Sequence, residues 1–394
     1  MAIATIPTVA GPGVDFGLRE EQELLRQEVR RFAEERIRPG ESERDAARAF
    51  PREILAEMGE IGLLGMFVPE AYGGAGFDLV SYCVAVEEIS RMSASIGVTM
   101  SVTNSVACWP ILQFGSEDLK REVLPVLAGG GTLGGFGLTE PGAGSDVGGI
   151  KTRARREGDA WVLDGEKAWI TNAGFATYFV VVARTGPELG PKGLSAFVVP
   201  SDAPGFSVGT PEHKLGLRSS RTAPLYFTAC RIPAGHLLGE VGEGFKVAMA
   251  TLDHSRLGIA AQCVGIHQRA LDLAAEYARQ REQFGRPIAD FQAVQLELAE
   301  IATELAAART LTRAAASLAE TAPQAEAGRL ASEAKLYASE AANRACAKAL
   351  QIHGGNGFHE DYEISRLYRD VRVTTIYEGT SQMQRLVIAR RLRA

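Results

Sequence analysis

The chain holds 394 residues, 46% hydrophobic and 23% charged, with 48 acidic against 42 basic side chains and a formal net charge of -6. A chain of this size outgrows a single hydrophobic core, and its composition excludes intrinsic disorder, so two or three packed domains are expected. The acidic balance gives no general attraction for a phosphate backbone, which sets nucleic acid aside as a partner and requires any anionic ligand to be held by a few placed residues.

Met1 to Phe16 is uncharged until Asp15 and interrupted by Pro7, Gly11, Pro12 and Gly13. It has neither the basic n-region of an export signal nor an Arg-rich amphipathic helix, so a cytoplasmic location is expected. From Leu18 to about Leu127 the apolar spacing is helical, with Leu25, Val29 and Phe32 on one stripe and Pro51 placed to open a helix before Ile54, Leu55 and Met58. Between about Gly131 and Pro233 the pattern changes to β-rich runs separated by Gly, Pro and Asp, among them 160–163, 178–182, 194–199 and 224–227. The apolar runs here are too short to span a bilayer, and no membrane insertion is expected. From Gly242 onward the chain is Ala-rich and helical again. Met249, Leu252, Arg256, Ile259, Cys263, Ile266, Ala270, Leu273 and Tyr277 recur at steps of three and four, with Arg256 interrupting an apolar stripe. The order is helix, β, helix, with boundaries at 1–130, 131–235 and 236–394.

Several chemistries are absent. No Gly-x-Gly-x-x-Gly follows a strand and no Gly-x-x-x-x-Gly-Lys-Ser/Thr occurs, so neither the dinucleotide fingerprint nor a P-loop is present. The five cysteines, Cys83, Cys108, Cys230, Cys263 and Cys346, lie far apart with no metal-ligand spacing, and read as small core residues in a reducing compartment. No metal site is expected.

Six segments carry candidate chemistry. In Phe136-Gly-Leu138-Thr139-Glu-Pro-Gly-Ala-Gly-Ser145-Asp146, glycines at alternate positions allow close backbone approach to a ligand, although a Pro-Gly turn is an equal account. Lys167 to Asn172 is a strand whose Trp169 could cover the face of a planar cofactor but, taken alone, belongs in the core. Arg279 to Gly285 reads as a helix ending at a glycine with two arginines in its last turn, for which dipole compensation suffices. Gln351 to Phe358 contains more glycine than one helix cap needs, and His353 there is a base only by residue type. Arg256 on its inward stripe requires an anionic partner, which Asp253 could supply. Glu378, in Tyr377-Glu-Gly379-Thr380-Ser381, reads as a helix-entry glutamate with Thr380 or Ser381 as N-cap.

Together, in this order, the six segments resemble the acyl-CoA dehydrogenase family from about Phe16 to Arg391. The resemblance implies an α+β multidomain fold: an N-terminal helical bundle, a middle antiparallel, β-barrel-like domain and a C-terminal four-helix bundle. It implies non-covalent FAD, a homotetramer with flavin sites shared across subunits, an acyl-CoA substrate, and electron-transferring flavoprotein as acceptor. Phe136, Leu138, Thr139, Ser145, Trp169, Ile170 and Thr171 would surround FAD. Arg281, Gln283, Phe284, Gln292, Gln351, Gly354 and Gly355 would contact its adenine-pyrophosphate half, and Thr380 and Gln382 would close over it. Ser145, Asp253, Arg256, Tyr377 and Gly379 would contact the substrate.

The resemblance makes Glu378 the base that removes the α-proton of the thioester, with the β-hydrogen leaving as hydride to flavin N5 to give a trans-2-enoyl-CoA. In some branches that carboxylate comes from the position occupied here by Ser255, and serine cannot perform the step. With Glu378 in that role, the chain is similar to enzymes for short- or medium-chain straight acyl groups. The alternatives are an acyl-CoA oxidase or a glutaryl-CoA dehydrogenase on the same fold, or a catalytically silent flavin- or acyl-CoA-binding protein.

Overall fold

A computed structural model describes residues 17–187 and 190–392; the reading of Met1 to Phe16 lies outside the described residues. The first third is helical. Arg52–Glu60 follows Pro51 and buries Ile54, Leu55 and Met58, and Leu79–Met92 starts on Asp78, whose carboxylate accepts from the Ser81 N–H. Ala94–Val102 has no polar face and is buried throughout, as such a helix must be. It runs through a wider π-helical stretch, Thr103–Cys108, into Trp109–Phe114.

The β-branched and aromatic runs of the middle third form one eight-stranded sheet. Most neighbours are antiparallel, including the long pair Ala160–Thr171 and Thr222–Pro233, which runs from Ala160 opposite Pro233 to Thr171 opposite Thr222. Two pairings are parallel, Leu133–Gly137 beside Ala176–Arg184 and Arg153 opposite Arg184; apolar alternation reports which face a strand buries, not which way its neighbour runs. The register shifts between Lys167 and Ile170, and Trp169 within that bulge has φ 63°. The bulge turns the indole out of the alternation, leaving Trp169 61% exposed. This corrects the reading of Trp169, taken alone, as a core residue.

Gly244–Gln280, Gln292–Ala319 and Gln324–His353 are the long helices of the last third, accompanied by Glu363–Val371 and Ser381–Arg391. Small residues on the inner faces let them approach closely. A Cβ on Gly265 would lie 2.2 Å from the Glu87 carbonyl oxygen, so the longest helix packs directly on Leu79–Met92. One apolar core, containing Ile89, Phe179 and Ile266, runs through all three parts, and the five cysteines are buried and free. No helix among the described residues is long and apolar enough to cross a membrane.

The longest helix does not end at Gly285 as its sequence suggests. Arg281 is already extended, at φ -79° and ψ 122°, and Gln283 pairs with Arg286 in a small hairpin. Phe284 and Gly285 both have positive φ, 54° and 79°, which a tight two-residue turn demands. Arg281 therefore stands outside the last helical turn.

Candidate active site

Glu378 lies between the short 3-10 turn Arg372–Thr375 and the helix Ser381–Arg391. Thr380 is the N-cap of that helix, accepting from the Met383 N–H at 3.3 Å. Glu378 itself has φ 53°, an unfavourable conformation for a residue with a side chain unless its surroundings impose it. They do. Gln384 Nε2 donates to the carbonyls of Glu378 and Gly379 at 3.0 and 2.9 Å, Arg256 Nε approaches the Glu378 carbonyl at 3.4 Å, and Lys335 Nζ donates to the Gly379 carbonyl at 2.8 Å. The Glu378 N–H, by contrast, has no acceptor among the described residues.

The carboxyl of Glu378 meets the longest helix at Ser255, whose Oγ donates to Oε2 at 2.7 Å. Part of the Glu378 residue still meets solvent, but its carboxyl lies deep. Burial raises that carboxyl above its ordinary value, against the Ser255 hydrogen bond and the positive charges of Arg256 and Lys335. Arg256 is buried and bonds to Asp253 and, at 3.1 Å, to Ser332 Oγ. Asp253 is thus the partner its spacing allowed. His254 points elsewhere: it stacks on Trp109 with ring centroids 4.6 Å apart, and burial holds it down to about 3, so it stays neutral.

Two hydrogen-bonded tyrosines lie close to the carboxyl. Tyr377 OH donates to Gln262 Oε1, and Gln262 Nε2 donates to the Ala94 carbonyl at 2.8 Å. Tyr82 OH lies 2.9 Å from Ser101 Oγ. Gly258, one turn beyond Ser255, makes room for this pair, since a Cβ there would fall 2.2 Å from the Tyr82 oxygen.

A second group lines the edge of the sheet. Leu138 and Ile170 are buried, Phe136, Thr139 and Thr171 are half-buried, and Ser145 and Trp169 are exposed. A buried ion pair fixes the loop between them: Lys167 Nζ donates to the Leu138 carbonyl at 3.1 Å and to Glu140 at 2.8 Å. Glu140 also accepts from the N–H groups of Lys151 and Thr152 at 2.7 and 3.0 Å. Beyond this anchor, Cβ atoms built on Gly142 and Gly144 meet nothing within 4 Å.

The third group stands apart. Arg281, Gln283, Phe284, Gln292, Gln351, Gly354 and Gly355 are all exposed, and among the described residues no hydrogen bond or ion pair links them to Glu378 or to the sheet-edge group. Arg281 has no ion pair there, and Phe284 is 94% exposed. His353 is buried, stacked on Tyr277 at 4.3 Å, with Nδ1 2.7 Å from the Ala349 carbonyl, so it is a structural histidine rather than a base. Gln382 is exposed on the first turn of the last helix.

Sequence reasoning missed Tyr82, Gln262, Lys335 and Gln384. For Lys335 a signal existed, because it interrupts an inward stripe with Ala331, Ala334, Ala338 and Ala342, the pattern that drew attention to Arg256. For Gln262 and Tyr82 it did not, since their partners lie 115 and 19 positions away, and Gln384 reaches Glu378 and Gly379 only because the left-handed turn at Glu378 folds their carbonyls back onto the last helix.

Comparison with known proteins agrees over most of the chain. Models of the N-terminal, middle and C-terminal domains of acyl-CoA dehydrogenase match residues 19–131, 135–230 and 242–393. An acyl-CoA dehydrogenase of Bacillus subtilis is 47% identical over 373 residues, covering 95% of this chain and 98% of that one. The human mitochondrial short-chain specific acyl-CoA dehydrogenase is 49% identical over 373 residues, covering 94% and 90%. The butyryl-CoA dehydrogenase of Megasphaera elsdenii superposes with a TM-score of 0.94 at 40% identity, covering 97% and 100%.

Proposed function

This chain belongs to the acyl-CoA dehydrogenase family of FAD-dependent oxidoreductases, and on that premise we propose that it dehydrogenates a short, straight-chain acyl-CoA with Glu378 as the base. The observation that carries this reading is the geometry of Glu378: a desolvated carboxyl, oriented by the Ser255 hydroxyl at 2.7 Å, on a residue whose N–H has no acceptor among the described residues. A thioester α-proton is weakly acidic, so a carboxylate must be made more basic by removal from water. Burial does this, while Ser255, Arg256 and Lys335 act in the opposite direction and favour the carboxylate. As charge moves onto the thioester oxygen, the Glu378 N–H, which has no acceptor among the described residues, is available to donate to it.

The side chains fit FAD. Gly142 and Gly144 leave open backbone at the sheet edge, Trp169 and Phe284 expose aromatic faces, and Arg281 is a guanidinium without an ion pair among the described residues, suited to a pyrophosphate. We assign Phe136, Leu138, Thr139, Ser145, Trp169, Ile170 and Thr171 to the flavin half, and Arg281, Gln283, Phe284, Gln292, Gln351, Gly354 and Gly355 to the adenine-pyrophosphate half, with Thr380 and Gln382 closing over it. Bound FAD supplies the acceptor for the electron pair that leaves with the β-hydrogen. Asp253 and Arg256 hold the CoA portion beside Ser145, and Tyr377 and Gly379 flank the thioester. Electrons then pass to electron-transferring flavoprotein, and a homotetramer completes the flavin sites.

Tyr82, Ser101 and Gly258 close the space one turn from Ser255, which supports a short acyl group. The resemblance to glutaryl-CoA dehydrogenases is weaker on one point. A second carboxylate in the pocket calls for an added base, yet between residues 79 and 114 the only basic residue is Arg91, engaged with Asp272 at 2.8 Å. Anaerobic titration with butyryl-, hexanoyl- and octanoyl-CoA tests the reading: the flavin is expected to bleach, most readily with the shorter chains, and Glu378→Gln is expected to bind acyl-CoA but bleach at least about a thousandfold more slowly. Bleaching of the Gln variant at near the wild-type rate would remove Glu378 from the role.

A further inference from the structure

Lys335 is a buried charge that the scheme above uses only in passing. It lies mid-helix in Gln324–His353 with 0% of its surface exposed. A buried ammonium ordinarily faces a carboxylate, because leaving water uncompensated is costly. Among the described residues Lys335 forms no ion pair, and its one hydrogen bond goes to the Gly379 carbonyl at 2.8 Å. The charged and titratable groups around it are Glu378, Arg256, Glu340 and the Cys263 thiol. Arg256 is held by Asp253 and Ser332, and Glu340 reaches outward to Arg385 at 3.5 Å. Glu378 is therefore the carboxylate left to answer the charge. Burial brings the lysine down to about 8, so it remains protonated at neutral pH.

We propose that Lys335 is a positioning residue for Glu378, holding the Gly379 carbonyl so that the left-handed backbone aims the carboxyl and frees the Glu378 N–H, while its charge favours the carboxylate. A methionine or leucine would fill the same space between alanines without the cost of burial, so packing alone does not call for lysine here. Gln384 also grips the Gly379 carbonyl, but as a neutral donor. Lys335 contributes charge as well as a hydrogen bond. The inference rests on Glu378 being the base.

Two substitutions in the FAD-loaded enzyme probe these contributions: Lys335→Met removes donor and charge, and Lys335→Gln removes the charge but keeps an N–H donor on a side chain one bond shorter. The first measurement is the pH dependence of anaerobic flavin bleaching by butyryl-CoA. The second needs no turnover: infrared titration of the Glu378 carboxyl band, identified by its absence in Glu378→Gln. Both variants are expected to raise the pH at which Glu378 ionises by about one unit. The Met variant is expected to bleach about tenfold more slowly even where the base is fully ionised, with Gln recovering part of that rate but not the pH shift. A Met or Gln variant that keeps FAD and titrates at the wild-type pH overturns the proposal; if Met fails to fold, Gln decides. If wild type is bleached by no acyl-CoA while the infrared shift is present, the proposed reaction fails and the coupling of Lys335 to Glu378 stands.

Discussion

At the scale of the residue, the pair that matters most was half visible in the sequence. Serine at 255 removed the alternative carboxylate, and Glu378 remained; that the two side chains touch follows only from the fold, since 123 positions separate them. Their contact predicts a pH effect with a definite sign. The Ser255 hydroxyl stabilises the carboxylate and so lowers the Glu378 value. In Ser255→Ala that help is lost, the carboxyl holds its proton to higher pH, and the acidic limb of the bleaching profile is expected to move upward, with the rate above it reduced by less than about tenfold. A limb that stays in place would show that the hydroxyl only packs there. Stability follows from the same shift. Glu378 is raised above its ordinary 4.5, so the folded state binds more protons than the unfolded one between 4.5 and the raised value, and stability falls as pH rises through that window. Glu378→Gln carries no such cost. It is expected to melt higher than wild type at neutral pH, with the gain fading as the pH falls from the raised value towards 4.5 and absent below about 4.5.

Elements were legible where apolar period and caps agree, as at Pro51 or along the stripe from Met249 to Tyr277. They were illegible where one extra residue or a positive φ redirects the chain. The bulge at Trp169 and the turn at Phe284-Gly285 both break a period that the flanking residues obey, and propensity carries little information about such turns in bulky residues. Contacts between elements were hidden for another reason: a glycine in a helix does not announce what it touches. Gly265 lets the longest helix lie on the Glu87 carbonyl, and Gly265→Ala is expected to destabilise by about 1–3 kcal/mol, since backbone rather than a flexible side chain must yield. Thermal unfolding measures this directly. Tyr82 and Gly258 make the corresponding contact beside the site. Removing the phenol should deepen the pocket, and Tyr82→Ala is expected to raise the ratio of octanoyl- to butyryl-CoA efficiency by at least about tenfold, the scale on which pocket methylenes discriminate. An unchanged ratio would place the acyl chain elsewhere.

For the whole molecule, the three-part order was readable from changes in residue pattern alone, because the period changes from helical to strand-like and back, whereas the exposure of Arg281 to Gly285 was not. The structure gathers Glu378, Ser255, Arg256 and Lys335 tightly, yet leaves Arg281, Phe284, Gln351 and Gly354 on open surface. The phenylalanine at the tip of the tight hairpin is 94% exposed, so its ring meets no other part of its own chain closely enough to leave water. It becomes an asset if a second copy and one end of FAD cover it together. Assembly and flavin retention should then be linked: what binds only the assembled state stabilises that state. Arg281→Ala and Phe284→Ser are each expected to lose flavin on dialysis and to sediment as smaller species at micromolar concentration, with added FAD restoring both properties in part. Wild type stripped of FAD should show the same shift towards smaller species. Loss of flavin from a variant whose assembly is unaltered, and unresponsive to added FAD, would mean that each chain closes its own adenine site, and Phe284 would need another reason to stand in solvent.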